Sequence, residues 1–420
     1  MSGSTTPTTP APPTGPPSVP EHHHAAPSGR HRVRRALVAL GTVLAVLLAL
    51  VYVGGGWYFS GRIQSDALAA SPGPMVPTYN LSVVAVGSST VTYRSSGDLS
   101  PSFDHAASYA LLWDGGWAHV GPPTSTAGGD VTRPITDVTG APLTVGTPAA
   151  LERDWYIGDP RTTLGYDFLD VTISGPHGDL PAWYVPATPP SAWTVVMVHG
   201  REGFPREFLR AMKVVHESGL NALDITYYGD YGNPPYANGQ LGWGTTEWPD
   251  VEAAVRWAAA HGTQDVVLMG NSHGTAVVAG FLQHSSQTGD VKAVVLDSVA
   301  VDLGQLVESG AAKVSLPVVG APPASLVAFS MWLAQLRFGV DWAAVDYTAD
   351  PMWDRQPVLA IQGLDDPQVP PGVGRDLKAL HPDTVQLEEF PGAQHVESWN
   401  TDRARYEAVL AAFLAKVTGA

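Results

Sequence analysis

Residues 166–420 of this 420-residue chain are predicted to form an α/β fold, a mostly parallel sheet with helices on both faces. A disordered tail, one transmembrane helix and a small β-rich region are expected ahead of it. Three observations carry that expectation. Apolar, β-branched runs at Thr194-Val195-Val196-Met197-Val198, Ala222-Leu223-Asp224-Ile225, Val266-Val267-Leu268-Met269, Ala293-Val294-Val295-Leu296 and Val358-Leu359-Ala360-Ile361 alternate with helical patterns such as Trp248 to Ala260. Near-continuous apolar strands joined by helices belong to a parallel sheet covered on both faces. An uncharged run of 24 residues, Ala36 to Phe59, directly follows Arg30, Arg32, Arg34 and Arg35. Between 70 and 165, short alternating runs such as Leu81 to Val86 and Thr90 to Tyr93 are separated by Gly, Pro, Ser and Asp clusters, the pattern of short antiparallel strands.

Taken in order, residues 1–29 are Pro, Ser, Thr and Ala with almost no large apolar side chains. Such a segment cannot bury enough surface to offset its ordering entropy and is expected to be disordered. His22, His23 and His24 could hold a metal, but in that setting they read as part of a solvated tail. Residues 30–59 read as a basic flank and a transmembrane signal anchor, since about 20 apolar residues cross roughly 30 Å of hydrocarbon. The arginines precede the run and only Arg62 follows closely, so the N-terminus is expected in the cytoplasm and the rest of the chain outside the cell membrane. Trp57 and Tyr58 sit where an interfacial aromatic belt would be. A cleaved signal peptide is the rival, but the nearest small-x-small site, Ala67-Leu68-Ala69, lies well past the apolar run. Residues 60–165 form the β-rich region, where Trp113, Trp117, Trp155 and Tyr156 read as packing and no chemistry is evident. Within 166–420, residues 301–349 interrupt the sheet pattern with apolar helical stretches such as Leu326 to Phe338.

Composition narrows the function. With 44% hydrophobic and 15% charged residues the chain can bury a substantial core. A formal charge of −16 and the lack of a basic stripe in the folded part exclude a nucleic-acid partner. The absence of cysteine excludes disulfides, thiolate metal sites and cysteine nucleophiles together. His216, His261, His284 and His381 have no partner at ligand spacing, so no metal site is expected.

Chemistry concentrates in four segments. Gly270-Asn271-Ser272-His273-Gly274 follows an apolar strand and precedes a helical run, the strand-turn-helix setting of a G-x-S-x-G nucleophile elbow. Side chains at Gly270 and Gly274 would collide with neighbouring backbone, and the new helix aims its first N–H groups at negative charge forming beside Ser272. Val198-His199-Gly200-Arg201-Glu202-Gly203 closes the first long strand. Gly363-Leu364-Asp365-Asp366-Pro367-Gln368-Val369-Pro370 closes a later one, and Pro391-Gly392-Ala393-Gln394-His395 follows the strand-like Val385 to Phe390.

With these motifs in the order Ser, Asp, His, residues 167–418 resemble the α/β-hydrolase superfamily of serine hydrolases. The resemblance implies the α/β-hydrolase fold, Ser272 as nucleophile, His395 as its base and an aspartate that holds the imidazole. Both Asp365 and Asp366 are at hand. Counting G-x-x-D from Gly363 and D-x-x-V-P back from Pro370 selects Asp366. The resemblance also places the oxyanion-hole N–H groups at His273 and Arg201, with His199 and Gly200 as the supporting turn. Arg201 and Glu202 depart from the small or apolar residues often seen there, and a local ion pair between them is the simplest explanation. Thr275 stands where a second glycine often follows, which suggests looser packing of the helix. Tyr227 to Gly244 is expected to present aromatic faces near the serine, and 301–349 to form a helical cap.

The implied activity is cleavage of an ester, thioester or amide through an acyl-enzyme, without a cofactor, on a small-molecule or lipid ester. Carboxylesterase-like activity is favoured. A prolyl-oligopeptidase-like peptidase and an acyltransferase use the same triad. A membrane-tethered interaction protein that keeps the fold without activity is the alternative of another class. No oligomeric state follows from these residues.

Overall fold

A computed structural model describes residues 1–11, 15, 29–71, 73, 76–98, 102–316 and 320–419. The triplet His22 to His24 and most of the tail expected to be disordered lie outside the described residues. By contacts the chain divides into two units, Met1–Gly55 and Gly56–Ala420. The first helix, α1 (Gly29–Ile63), is long and apolar enough to cross a membrane, and apolar side chains such as Leu37, Leu44 and Leu50 are exposed along it.

The larger unit contains two sheets. One has eight strands: β8 (Leu169–Gly175), β9 (Gly178–Val185), β10 (Trp193–Val198), β11 (Asn221–Ile225), β12 (Asp265–Asn271), β13 (Val291–Asp297), β14 (Val358–Gly363) and β15 (Val385–Phe390). They lie in the order β15-β14-β13-β12-β10-β11-β9-β8. Pairings from β11 to β15 are parallel, while β9 runs antiparallel to both β8 and β11. The remaining helices are α2 (Pro160–Leu164), α3 (Leu209–Glu217), α4 (Trp248–Ala260), α5 (His273–His284), α6 (Leu303–Ala312), α7 (Ala324–Phe338), α8 (Pro371–Leu380), α9 (Ser398–Thr401) and α10 (Arg403–Thr418).

The strand period of two divides the apolar side chains between the faces. Val196, Val198, Leu268, Leu296 and Ala360 pack with Val251 and Ala254 of α4, Val277 and Phe281 of α5 and Leu377 of α8. Their neighbours Val195, Met197, Met269, Val295 and Ile361 pack with Leu209 and Met212 of α3 and with Leu410 and Phe413 of α10. This is the doubly covered α/β sheet read from the sequence. It places the turns after β10, β11, β12, β14 and β15 along one carboxyl edge.

The β-rich region is antiparallel as expected, and it is closed, which the short strand runs alone do not reveal. Its strands are β1 (Leu81–Val86), β2 (Thr90–Ser95), β3 (Tyr109–Trp113), β4 (Gly116–Val120), β5 (Ser125–Ala127), β6 (Asp130–Gly140) and β7 (Pro148–Glu152). The order β2-β1-β7-β3-β4-β6 is closed by a β2–β6 pairing, with β5 added to β6. Closure removes the edges that an open sheet this small would expose. Inside sit Val83, Val91, Tyr93, Leu111 and Val131. Arg133 is fully buried there, and all its donors are engaged, by Tyr93 Oη and by the carbonyls of Ser102, His105, Ala107 and Gly121. A buried cation is tolerable only with such complete pairing. Here the pairing also fixes the 102–107 loop.

The end of α1 and the segment after it pack against the core of the eight-stranded sheet. Ile63 and Leu68 join the core formed with α4 and α5. A π-helical turn spans Gln64–Leu68. Beyond it, Leu241 N–H donates to Leu68 O at 2.8 Å, Ala70 N–H to Gly239 O at 3.0 Å, and Trp243 Nε1–H to Ala67 O at 2.9 Å. Burying an Ile or Leu side chain stabilises by about 1.5–3 kcal/mol, a large share of the roughly 5–15 kcal/mol that holds a domain together. A fragment beginning at Gly56 should therefore unfold at a clearly higher temperature than one beginning at residue 70. Equal midpoints in parallel thermal scans would show that the segment adds nothing to the fold.

Candidate active site

The turn after β12 holds Ser272 at φ 48° and ψ −124°, a conformation costly for a residue with a side chain. Ser272 N–H donates to Asp297 O at 2.8 Å, which ties the turn to the end of β13. A Cβ at Gly270 would stand 2.6 Å from Gly274 O, and one at Gly274 would run into Val198 O. Those two close approaches are the reason for glycine at both places. Thr275 does not loosen the helix. It is fully buried, its Oγ1 donates to Ser272 O at 2.6 Å, and it accepts Ala300 N–H at 2.8 Å. The hydroxyl braces the strained peptide against the strand next door, a role visible only once β13 is in place.

Three side chains meet at this edge. Ser272 Oγ lies 2.8 Å from His395 Nε2, and His395 Nδ1 lies 2.9 Å from Asp366 Oδ2. The other carboxylate oxygen, Asp366 Oδ1, accepts the N–H groups of Gln368 and Val369, both at 2.8 Å. Asp366 is buried, whereas Asp365 is exposed and engages the His395 loop only through its main-chain N–H to Ala393 O. The loops come together because Gly363 lets the end of β14 run under Ala393 and Gln394, where a Cβ would lie 2.5 Å from Ala393 O.

The His395 loop is itself strained. Val396 has φ 56°, disfavoured for a β-branched residue, and Ser298 has φ 54°. Ser298 Oγ accepts Val396 N–H at 2.9 Å, and Arg210 Nη1 donates to Val396 O at 3.2 Å and to Asn400 Oδ1. The barrel braces this loop as well. Tyr109 Oη donates to Glu397 Oε2 at 2.7 Å, and Ser102 Oγ to Glu397 Oε1 at 3.3 Å. His105 lies with Nδ1 3.1 Å from Glu397 and Nε2 2.6 Å from Gly392 O. Burial opposes charge on that ring, but the Glu397 carboxylate and the Gly392 carbonyl outweigh it and hold its pKa above the usual histidine range. Arg133, by fixing the 102–107 loop, thus supports the strand-to-helix loop that carries His395.

The turn after β10 lies beside the serine: a Cβ on Gly200 would be 3.3 Å from Ser272 Cβ. His273 opens α5, where the helix offers its N–H no acceptor. Tyr227, at the end of β11, holds both turns. Its Oη is 3.0 Å from the carbonyls of His199 and Gly200 and 3.2 Å from His273 Nδ1. Burial depresses the pKa of His273 to about 4, so that ring is neutral. The aromatic residues between Tyr227 and Gly244 mostly face inward. Tyr227, Tyr236 and Trp243 are buried, and Tyr236 Oη donates to Glu247 at 2.8 Å. Among the described residues no ion pair joins Arg201 to Glu202. Arg201 Nη1 instead donates to Asp66 O at 2.7 Å, and Glu202 Oε1 accepts Ser71 N–H at 2.5 Å. The turn is clamped by the segment that follows α1.

His199 is fully buried, with Nδ1 2.9 Å from Gly200 O and Nε2 3.0 Å from Asp230 Oδ2. The Asp230 approach lies off the N–H direction, which makes it an ion pair and not a directed hydrogen bond. Burial opposes the charged ring, but Asp230, with Glu207 beyond it, lifts its pKa to about 9. At Asp297, burial pushes the carboxyl up to about 6 against the hydrogen bond from Tyr406 Oη. Among the described residues no group of three or more His, Cys, Asp or Glu is arranged to hold a metal ion.

A family model described as a domain of unknown function, DUF8805, matches residues 82–152, which are the barrel. No curated protein matches the chain. Solved structures similar to it include the Pyrococcus furiosus esterase Pf2001, at 19% identity and a TM-score of 0.46, covering 62% of this chain and 96% of that one. XC6422 of Xanthomonas campestris, an α/β serine hydrolase without a lid, is 16% identical with a TM-score of 0.41, covering 60% and 94%. A Mycobacterium tuberculosis puromycin-hydrolysing peptidase is 18% identical with a TM-score of 0.46, covering 80% of this chain and 47% of that one.

A charged His199 has a consequence for stability. Its folded pKa lies above the ordinary value of about 6.5, so its contribution is full below that pH and is lost as pH rises through about 9. The thermal midpoint should fall between those values, and His199→Gln should flatten that stretch of the profile. A wild-type midpoint that stays level across the window would show that the buried ring carries no charge.

Proposed function

We propose that the chain is a serine hydrolase of the α/β-hydrolase type that cleaves an ester, held to a membrane by α1. The observation that carries this reading is the unbroken series from Ser272 Oγ through His395 to Asp366, set at the carboxyl edge of the sheet. Ser272 Oγ would attack the carbonyl carbon as its proton passes to His395 Nε2, and Asp366 would stabilise the imidazolium. The main-chain N–H groups of His273 and Arg201 would receive the negative oxygen of the tetrahedral intermediate. His395 would then give its proton to the departing alcohol, leaving an acyl group on Ser272. Water, activated by the same histidine, would release the acid and restore the serine. Each step uses only protein groups and water.

Fluorophosphonate labelling and turnover of a chromogenic ester test this reading together. Ser272→Ala should abolish labelling and lower kcat by up to roughly a millionfold. Asp366→Asn should cost on the order of ten-thousandfold with the fold intact, while Asp365→Asn should cost little. Esterase activity persisting in Ser272→Ala, or a reversed ranking of the two aspartate variants, would refute the assignment. An interaction protein without activity would label in neither wild type nor variant.

The placement in the cell membrane is a proposal of the same standing. The arginines ahead of Ala36 would keep the N-terminus cytoplasmic and leave the larger unit outside. Protease added to intact spheroplasts should digest the larger unit while an epitope placed within residues 1–11 stays protected until the membrane is broken. Recovery of a mature chain beginning near residue 70 in the medium would show a cleaved signal peptide instead.

A further inference from the structure

Helix α7 is mostly apolar, with Arg337 its only charge and Ser325, Ser330 and Gln335 its only other polar side chains, yet only one stripe of it is buried. Leu326, Ser330 and Ala334 face the core, and Ser330 satisfies its hydroxyl on Leu326 O. The stripe of Ala328, Trp332 and Leu336 faces solvent, with Trp332 51% and Leu336 63% exposed. Phe329 stacks on Trp332 and extends this surface. From Val314 to Leu336 the sequence runs 23 residues without a charged side chain, in a protein with 15% charged residues. A helix this apolar on more than its core-facing stripe is ordinarily covered by protein or by lipid. At 15 residues this one is too short to span a bilayer, which takes about 20. It has the length and character of a helix that lies on one.

Its neighbour on the other side identifies the surface it meets. Phe329, Leu333 and Arg337 form a third stripe, and this stripe rests on the last turns of α1. Gly56 sits so close under Phe329 that a Cβ would be 2.5 Å from the ring. The Arg337 guanidinium lies 3.6 Å from the centre of the Trp57 ring and donates to Trp57 O at 2.8 Å and to Ser60 Oγ at 2.5 Å. Trp57 and Tyr58 are themselves about 60% exposed, at the position where an apolar helix with a tryptophan and a tyrosine at its end leaves the hydrocarbon for the headgroups. The exposed stripe of α7 is one residue back from the clamped stripe at every turn, about 100° round the helix. The two exposed surfaces are therefore continuous.

We propose that α7 is a membrane-contact helix: Ala328, Trp332 and Leu336 lie in the interfacial zone of the phospholipid bilayer that α1 crosses, and Arg337 locks α7 to the emerging end of α1. On the proposed hydrolase reading, on which this part rests, the enzyme takes its ester from that bilayer, as an acyl lipid, in preference to water.

The chain has no cysteine, so one introduced thiol is a unique label site. Full-length protein would be reconstituted in phosphatidylcholine vesicles carrying a nitroxide on the upper acyl chain. An environment-sensitive fluorophore would be attached at Ala328→Cys, at Leu336→Cys, or at Asp114→Cys in the exposed turn between β3 and β4. The expected result is blue-shifted, strongly quenched emission at 328 and 336 and unquenched emission at 114. Labels at 328 and 336 quenched no more than at 114 overturn the proposal. So does a blue shift without lipid quenching, the signature of a second protein copy covering the face. In the same vesicles, Ala328→Glu with Leu336→Glu should lower turnover of a long-chain lipid ester several-fold and leave a short soluble ester unaffected. Equal loss on both esters overturns the choice of a bilayer substrate. Wild type inactive on both overturns the hydrolase reading alone, and the quenching result still decides the membrane contact.

Discussion

One strained peptide organises this molecule. Ser272 adopts a backbone conformation that an ordinary residue avoids, and the cost is met only by neighbours that come unusually near. Gly270 and Gly274 remove the side chains that would hold β12, α5 and the end of β10 apart. Asp297 O and the Thr275 hydroxyl then fix the two ends of the Ser272 peptide. Because β10, β12 and β13 are parallel and adjacent, holding this one turn also fixes where the turns beside it must lie. The strain is thus a property of the sheet edge as a whole.

A second strained loop faces it, and its support comes from a different part of the chain. Val396 and Ser298 share a hydrogen bond across two left-handed residues, and the next residue, Glu397, is gripped by Ser102, His105 and Tyr109. These groups belong to the barrel or its loops, and Arg133 fixes the loop from inside. Each of these bonds is worth about 0.5–1.5 kcal/mol net, or up to about 3 where a charge takes part. Their sum is of the size needed to hold a loop with an unfavourable φ. The barrel is therefore a brace for the histidine loop as well as a compact structure of its own.

What the sequence disclosed and what it hid follow from the range of the interactions. The strand runs depend on spacing within ten residues or so and are legible; the same short range sets the turn at Ser272 and singles out Asp366, the aspartate that the structure places against His395. Burial now gives the aspartates a physical difference: Asp366 has its second oxygen satisfied by two N–H groups, while Asp365 points to solvent. Barrel closure was not readable, because it depends on β2 meeting β6 after an intervening hairpin. The tight packing at Thr275 is not legible locally, because its partner, Ala300, is 25 residues away. Arg201 and Glu202 are adjacent and suggest a local pair, yet each reaches back more than a hundred residues to Asp66 and Ser71. Tyr227 opens the stretch expected to offer aromatic faces near the serine, but a buried tyrosine that bonds two carbonyls looks, in sequence, like any core aromatic.

The placing of residues 66–71 on the Arg201 turn has a consequence for how such a protein could be released. Here the stretch just beyond α1 contributes Leu68 to the core and holds, through Asp66 and Ser71, the turn that flanks Ser272. A cut within it would loosen that turn in the same event that freed the domain. On the proposed reading, tether and catalyst share a part, so shedding would itself act as an off-switch.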